Sequence, residues 1–352
     1  QTLTGSHSTI EIQDVEFAGD VMISKQGASQ RNTFTMREQR VVYRGDSHIV
    51  VTGGADDDYA ELAQESVTHH GESHLLIDLK VGNDEVVLIG VPDGHVLVSD
   101  SGPSPDLDTL RLIADNSDNQ FVLRQGQISV DGRTVDFNGI ERVDIDGQGG
   151  ADYVTVDGSP TTPISWRNAA GIGITGGTLR ITGTNDDDRV HIHRKSNDQF
   201  KVRANFLQGR KTVTLPSTNV ERIVVQLYDG DDRFKVLGKI YTPTIVSGGA
   251  GNDIIRGSRG QNVLIGDAGR DRLVGGREED LLIGGTLDDS RQDAALEQLL
   301  REWTVDEPIS NKLTRVIERL NVIDDEEKDR LISGKGRDLF FAGIGDRFVD
   351  FN

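Results

Sequence analysis

Short apolar runs with polar residues between them fill the first 240 positions. "STIEIQDVEF", "HIVVTGG", "SHLLIDLKV", "HVLVSD", "FVLRQGQISV" and "TLRITG" are rich in Val, Ile and Thr and are separated by Gly, Asp and Asn. That pattern predicts many short strands joined by tight turns. "DDDYAELAQESV" is the one stretch there with helical character. The pattern changes at residue 248, where a glycine-rich tract runs to residue 285, and again over 286–333, which hold no glycine. In the latter, Leu296, Leu299, Leu300 and Trp303 follow the i, i+3, i+4, i+7 rule of a buried helix stripe. After Pro308 the rule recurs at Leu313, Val316, Ile317 and Leu320, and Ser290 with Asp293 makes a capping box. The expectation is a helical hairpin.

The strands repeat. Ile140–Gly158 aligns without gaps to Val220–Gly238, and "SDNQFVLR" upstream matches "SNDQFKVR". Leu75–Gly90 is a poorer copy. Each copy is an apolar strand, a Gly-Asp corner and a second strand. The corner acids are Asp84, Asp152 and Asp232, with Asp58 and Asp188 as variants. Such a unit cannot bury its own face, whereas stacked copies can, which predicts a mainly β chain: a parallel β-solenoid or stacked β-modules. Gly-Asp is also a common turn, so ion binding at these corners stays open.

The glycine-rich tract divides into nines: GGAGNDIIR, GSRGQNVLI, GDAGRDRLV, GGREEDLLI. Position 1 is Gly248, Gly257, Gly266 and Gly275; position 6 is Asp253, Asn262, Asp271 and Asp280; position 8 is Ile255, Leu264, Leu273 and Leu282. A flexible linker does not keep an aliphatic residue every ninth place. A phosphate loop is a single copy opening a helix, and no GxxxxGK[ST] occurs.

The tract resembles the calcium-binding nonapeptide of repeats-in-toxin (RTX) proteins, GGxGxDxUx. The resemblance implies a parallel β-roll of two nonapeptides per coil, with Ca2+ held between turns by turn carbonyls and by position-6 acids two repeats apart. Calcium prefers six to eight oxygen ligands, and glycines let a turn aim its carbonyls inward. The implied site residues are Asp253, Asp271, Asp280, Asn262, Asp329 and Asp338, with Gly248, Gly249, Gly251, Gly266 and Gly269 shaping the turns. Asp329 and Asp338 belong to "DDEEKDRLI" and "SGKGRDLFF", which resume the nine-residue frame after the helices. The helical hairpin is therefore expected as an insertion in one roll. Pairing repeats two apart predicts shared sites at Asp253/Asp271, Asn262/Asp280, Asp271/Asp329 and Asp280/Asp338. Asn262 is neutral, Glu278 breaks the position-4 glycines, and the fifth repeat has none, so fewer ions are expected than in an uninterrupted roll. The last stretch is similar to the terminal part of secreted RTX proteins, and the final 110 or so residues are similar to C-terminal regions of large planctomycete secreted proteins. The upstream units resemble, more loosely, repeat modules of long bacterial surface proteins.

Outward positions sharpen the picture. Val263, Ile265, Leu281 and Ile283 form one apolar face, while Ile254, Arg256, Arg272 and Val274 on the other are mixed. A bare aliphatic patch is a liability, so the helices are expected over the first face.

Charge and composition then narrow function. The chain of 352 residues carries 38 basic and 58 acidic side chains, a formal net charge of −20. This excludes a nucleic-acid partner, which demands clustered Lys and Arg. No apolar run reaches the ~18 residues of a membrane span, and zero cysteines exclude disulfides and thiolate sites. A start at Gln1 fits a processed mature form. His69, His70 and His74 in "HHGESH", and His191 with His193, could bind a metal but read first as polar surface. "RGDS" at 44–47 matches an adhesion tripeptide by chance composition, and no Ser/His/Asp order or HExxH stands out.

The expectation is a non-enzymatic protein, secreted or at the cell surface. Residues 1–240 would form an irregular β-solenoid and 241–352 an RTX-like roll with helical insertion at about 288–321. Its role would be structural or adhesive, as in a surface layer, matrix or filament, with end-to-end self-association and surface polysaccharide as candidate partners. Two alternatives are a carbohydrate-active β-helical enzyme and a calcium-triggered folding cap; sparse aromatics, 5% of residues, weigh against sugar stacking.

Overall fold

Alternation of apolar and polar residues forces these segments to lie as strands with one buried face. The computed structural model describes the chain apart from residues 1, 4–6, 27–30, 103–105, 149–151, 157–159, 168, 196–197, 208–210, 288–292, 313, 315–319 and 350–352. Two compact units divide at Ala169/Ala170, so the change in repeat regularity at residue 241 falls inside the second.

The first unit winds as parallel coils. His7–Gln13, Glu16–Phe17 and Val21–Gln26 make one coil of three strands; Thr33–Gln39, Val42–Tyr43 and Ser47–Thr52 make the next; Tyr59–Glu65, Thr68–His69 and Ser73–Asp78 the third. Each strand pairs in parallel with its counterpart one coil later. Hydrogen bonds between corners of successive coils span 26 residues. Asp14, Arg40 and Ser66 all take positive φ at the same point of each coil, so a left-handed corner residue recurs in register without glycine. Phe34, Met36, Ala60, Leu62, Val86 and Leu88 meet Ile49, Val51, Leu75 and Ile77 in the interior. The stretch "DDDYAELAQESV" is strand rather than helix: Ala60 and Leu62 are buried in alternation with Tyr59 and Glu61, and parallel neighbours on both sides override helical propensity.

Purely parallel winding is interrupted in both units. Gln120–Arg124, Gln127–Val130 and Arg133–Asn138 form an antiparallel meander in the first, turning at Gly126 and at Asp131-Gly132, which take positive φ. In the second, Arg189–Lys195, Gln199–Ala204 and Thr212–Pro216 do the same. Ala170–Thr175 pairs antiparallel with Thr178–Thr182 across Gly176-Gly177, both at positive φ, the conformation a two-residue hairpin requires.

The rest of the second unit is a two-sided parallel roll. One side stacks Thr178–Thr182, Arg222–Gln226, Thr244–Ala250, Asn262–Ala268, Asp280–Ile283 and Leu339–Phe341. The other stacks Arg189–Lys195, Arg233–Leu237, Ile254–Arg256, Arg272–Val274, Arg330–Ile332 and Arg347–Val349. Arg272 pairs with Arg330, and Leu281 with Leu339, so the helical segment is an insertion between coils of one roll. Position-8 residues Ile255, Leu264, Leu273, Leu282 and Leu331 are buried between the sides, and Phe340 packs against them from the last coil.

The inserted helix, Asp293–Trp303, covers the face expected for it. Leu296, Leu299, Leu300 and Trp303 pack with Val263, Ile265, Leu281 and Ile283 in one buried cluster. The opposite face stays mixed, with Ile254 exposed. Trp303 Nε1 donates to the carbonyl of Glu279 at 3.0 Å, and Lys312 Nζ, almost wholly buried, pairs with the Glu279 carboxylate at 2.9 Å. Residues 309–312 are helical, and Leu320 packs on the same cluster. Ser290, Leu313, Val316 and Ile317 lie outside the described residues, as does the side chain of Asp293.

Candidate metal centre

Each position-6 residue ends a corner and begins a strand, so parallel stacking places the corner acids one above another. The backbone N–H of Asp253 donates to Oδ1 of Asp271 at 2.8 Å, and that of Asp271 to Oδ1 of Asp329 at 2.8 Å. On the other edge Asn262 N–H reaches Asp280 Oδ1 at 2.9 Å, and Asp280 N–H reaches Asp338 Oδ1 at 2.8 Å. The four residue pairs expected from the nine-residue frame are thus stacked neighbours.

The first ladder is longer than the nonapeptides. Asp188 N–H donates to Asp232 Oδ1 at 2.7 Å, and Asp232 N–H to Asp253 Oδ1 at 2.8 Å. At the far end Asp329 N–H donates to Asp346 Oδ1 at 2.9 Å. Asp188 and Asp232 were visible as corner acids in the sequence. Asp346 was not, because its corner is one residue short: it stands 17 residues from Asp329, against 18 within the tract. Asp267 and Asp325 were also missed. Asp267 Oδ2 accepts from Ser247 Oγ at 2.5 Å, and Asp325 Oδ2 accepts from Gly269 N–H at 2.6 Å. Asp267 occupies a position held by Gly or Ser in the other three repeats, and Asp325 lies beyond the insertion.

Asp232, Asp253 and Asp271 on the first edge differ from Asn262 and Asp280 on the second in what remains unsatisfied. Asp232, Asp253 and Asp271 are buried, and Oδ2 of each has no hydrogen-bond partner. A buried carboxylate oxygen with no donor is costly unless a cation or proton meets it. Burial pushes the carboxyls of Asp253 and Asp329 up to about 7 and those of Asp232 and Asp271 up to about 8. Asp267 and Asp231 add repulsion at Asp253; Asp253, Asp329 and Asp325 add it at Asp271. On the second edge Asp280 Oδ2 is taken by Gly276 N–H at 2.5 Å, although burial still lifts this carboxyl to about 7. The Asn262 amide donates to Gly260 O at 2.7 Å, Ser258 O at 3.2 Å and Asp280 Oδ1 at 2.7 Å. There a side-chain NH2 gathers the oxygens that a cation would otherwise gather.

Glycine makes these corners compact. A Cβ on Gly248 would meet Asp253 Oδ2 and, at 2.6 Å, the carbonyl of Gly266; Gly266 holds the same relation to Asp271 and Gly284. Gly251 and Gly269 have φ of +140° and +128°, and each packs against a carbonyl of the preceding coil, Gly230 O and Gly251 O. Gly249, at φ +102°, does the same against Tyr228 O. Stacked carbonyls beside unpartnered carboxylate oxygens are the hard, oxygen-only donor set that suits calcium.

Other candidates resolve differently. His69 stacks on Tyr43 at 4.8 Å, which stacks on Phe17 at 5.1 Å. His74 stacks on His48 at 4.9 Å and leans on His95 at 5.9 Å. The contacts Phe17–Tyr43, Tyr43–His69 and His48–His74 are ladders of the 26-residue coil, and His74–His95 continues the second ladder onto a shorter one. His191 and His193 are exposed on one strand face; burial, Lys235 and Arg203 hold the His191 imidazole below its usual pKa. The "RGDS" stretch is a coil corner: Asp46 N–H donates to Asp20 Oδ1 at 3.0 Å, and Asp46 Oδ1 accepts from Glu72 N–H at 2.8 Å.

A family model described as the RTX calcium-binding nonapeptide repeat matches residues 247–289 and 323–349, in four copies. These two segments flank the helical insertion, and the chain therefore carries calcium-binding repeats. No curated protein and no solved structure matches the chain.

Proposed function

We propose that this chain is a secreted, non-enzymatic structural protein whose roll is held together by calcium bound along the Asp232, Asp253, Asp271 and Asp329 edge. One observation carries the reading: three successive buried acids, Asp232, Asp253 and Asp271, whose second oxygens have no donor. Asp267 and Asp325 would add charge, and turn carbonyls would complete the shell. Ions on this edge would offset the repulsion of the stacked carboxylates; at Asn262 the amide takes part of that role. The test is calcium titration followed by circular dichroism, with chelator as control. Loss of β signal on chelation at neutral pH supports the reading, and identical unfolding with and without calcium overturns it.

A surface layer, matrix or filament would suit such a part. RTX repeat proteins are typically secreted, and no helix of the described residues is long and apolar enough to cross a membrane. His7–Gln13 is an end strand of its sheet among the described residues, and Ile10 and Ile12 are only partly buried. Such an edge favours end-to-end self-association; light scattering that grows with calcium is the expected result.

The carbohydrate-active alternative has one observation in its favour. A cleft of about 680 Å³ in the first unit is lined by Arg37, Glu38, Gln64, Asp93, Asp131 and Arg133. Its aromatic wall, Phe121, is almost wholly buried and offers no stacking surface, which is why the structural role is preferred. Oligosaccharide binding abolished by Arg37→Ala would reverse that preference.

A further inference from the structure

The corner between the strands His95–Ser99 and Thr109–Ile113 lies in the first unit, outside the segments matched by the nonapeptide model. It gathers Asp100, Asp106 and Asp108. One carboxylate oxygen from each lies within 4.8 Å of the other two. Opposite ligands of a single calcium stand about 4.6–5.2 Å apart, twice its metal–oxygen distance, so all three oxygens lie close enough together to share one such ion.

A cluster of acids alone would be unremarkable on so acidic a chain. Two oxygens make this one different. Asp108 is fully buried; Oδ1 accepts from Asp84 N–H at 2.9 Å, and Oδ2 is buried with no hydrogen-bond partner. Oδ1 of Asp106 is likewise buried and without a partner, while its Oδ2 receives Gly82 N–H at a long 3.4 Å. Asp100 Oδ1 accepts from Gly102 N–H at 2.7 Å. Asp108 N–H donates to Glu141 Oε2 at 3.0 Å, which brings in a fourth carboxylate. Burial pushes the Asp108 carboxyl up to about 7, with Asp100, Asp106 and Glu141 adding repulsion. The nearby ammonium of Lys80 is engaged by Asp78 at 2.6 Å and by Ser101 Oγ at 2.7 Å. Buried negative charge of this density demands a cation or protons.

We propose that Asp100, Asp106 and Asp108 form a second kind of calcium site, built on a coil corner of the first unit and independent of the nonapeptide roll. Asp108 supplies its buried Oδ2, Asp106 its Oδ1, and Asp100 an oxygen from the open side. The site would tie the end of one coil to the start of the next where the coil shortens: Asp84 and Asp108 are 24 residues apart, against 26 between Asp58 and Asp84.

Calcium bound to the full chain is counted by equilibrium dialysis for wild type, Asp106→Asn/Asp108→Asn and Asp253→Asn/Asp271→Asn. The first pair is expected to lose one ion per chain while the calcium response of Trp303 fluorescence in the roll persists. The second pair is expected to lose ions and that response while keeping the corner ion. An unchanged count in Asp106→Asn/Asp108→Asn overturns the proposal. Should that variant not fold, Asp100→Asn, on the partly open side, is expected to weaken one class of site at least about tenfold; unchanged affinity overturns it equally. Displacement of the corner ion by magnesium at equal concentration would overturn the assignment to calcium.

Discussion

The two units use one corner device on coils of different width. In the first, Asp58 N–H reaches Asp84 Oδ1 across 26 residues, and Asp84 N–H reaches Asp108 Oδ1 across 24. In the second, Asp253 N–H reaches Asp271 Oδ1 across 18. The ladder of acids thus belongs to the corner and not to the nine-residue repeat. The repeat sets how little chain lies between corners, and hence how tightly turn carbonyls stack beside the acids. The sides are also closed differently. The first unit stacks rings, Phe17 on Tyr43 on His69. The second lays a helix across Val263, Ile265, Leu281 and Ile283.

Calcium withdrawal should separate the units most. One ion at a hundred times its Kd stabilises by about 2.7 kcal/mol, so two ions on the ladder are worth about 5 kcal/mol. Unfolding followed by Trp303 should lose about that much in chelator, and unfolding followed by Trp166 should lose less. The chelated roll should also depend on pH in a stated direction. Asp253, Asp271 and Asp329 titrate near 7 to 8 when folded, against about 3.9 unfolded. Their protonated forms therefore favour the fold fully below about pH 4, and that contribution is lost as pH rises through 7 to 8. Melting curves in chelator should show lower stability at pH 8.5 than at pH 5, and saturating calcium should remove the difference.

Trp303→Ala should cost about 3–5 kcal/mol, from lost burial against the roll and a lost bond to Glu279 O. Denaturant unfolding should show it in the second unit and leave the first unchanged. Asp271→Asn sharpens the comparison by its sign. In chelator at pH 8 it should stabilise by about 1–3 kcal/mol, because it removes a buried charge; in calcium it should destabilise by a similar amount. Asp46→Ala, at an exposed corner of the first unit, should cost only about 0.5–1.5 kcal/mol in either condition.

The roll was legible because its constraints repeat at fixed spacing. A corner at Gly248, an acid at Asp253 and a buried Ile255 recur often enough to expose both the register and the covered face. The first unit hid its period. Its stacked interior positions read Phe34, Ala60, Val86 and Leu110, alike in burial but not in identity. Its left-handed corners read Asp14, Arg40 and Ser66, with no glycine to mark them. The 80-position alignment found pieces of like shape, strand–corner–strand, in both units, while the 26-residue coil went unseen. With it went the stacking of His48 on His74 and the structural use of Arg44–Asp46. The antiparallel meanders were missed for another reason: turns such as Gly126 and Gly132 look the same whether the chain reverses or rounds a corner. Asp346 escaped through a one-residue-short corner.

The claim that calcium holds the acid ladder is tested most directly by hydrogen exchange at single amides. In calcium at pH 8, the N–H groups of Asp253, Asp271 and Asp329 should be strongly protected. Chelation should release all three, while those of Asp46 and Glu72 in the first unit keep their rates. Equal protection of the three ladder amides with and without calcium would contradict it.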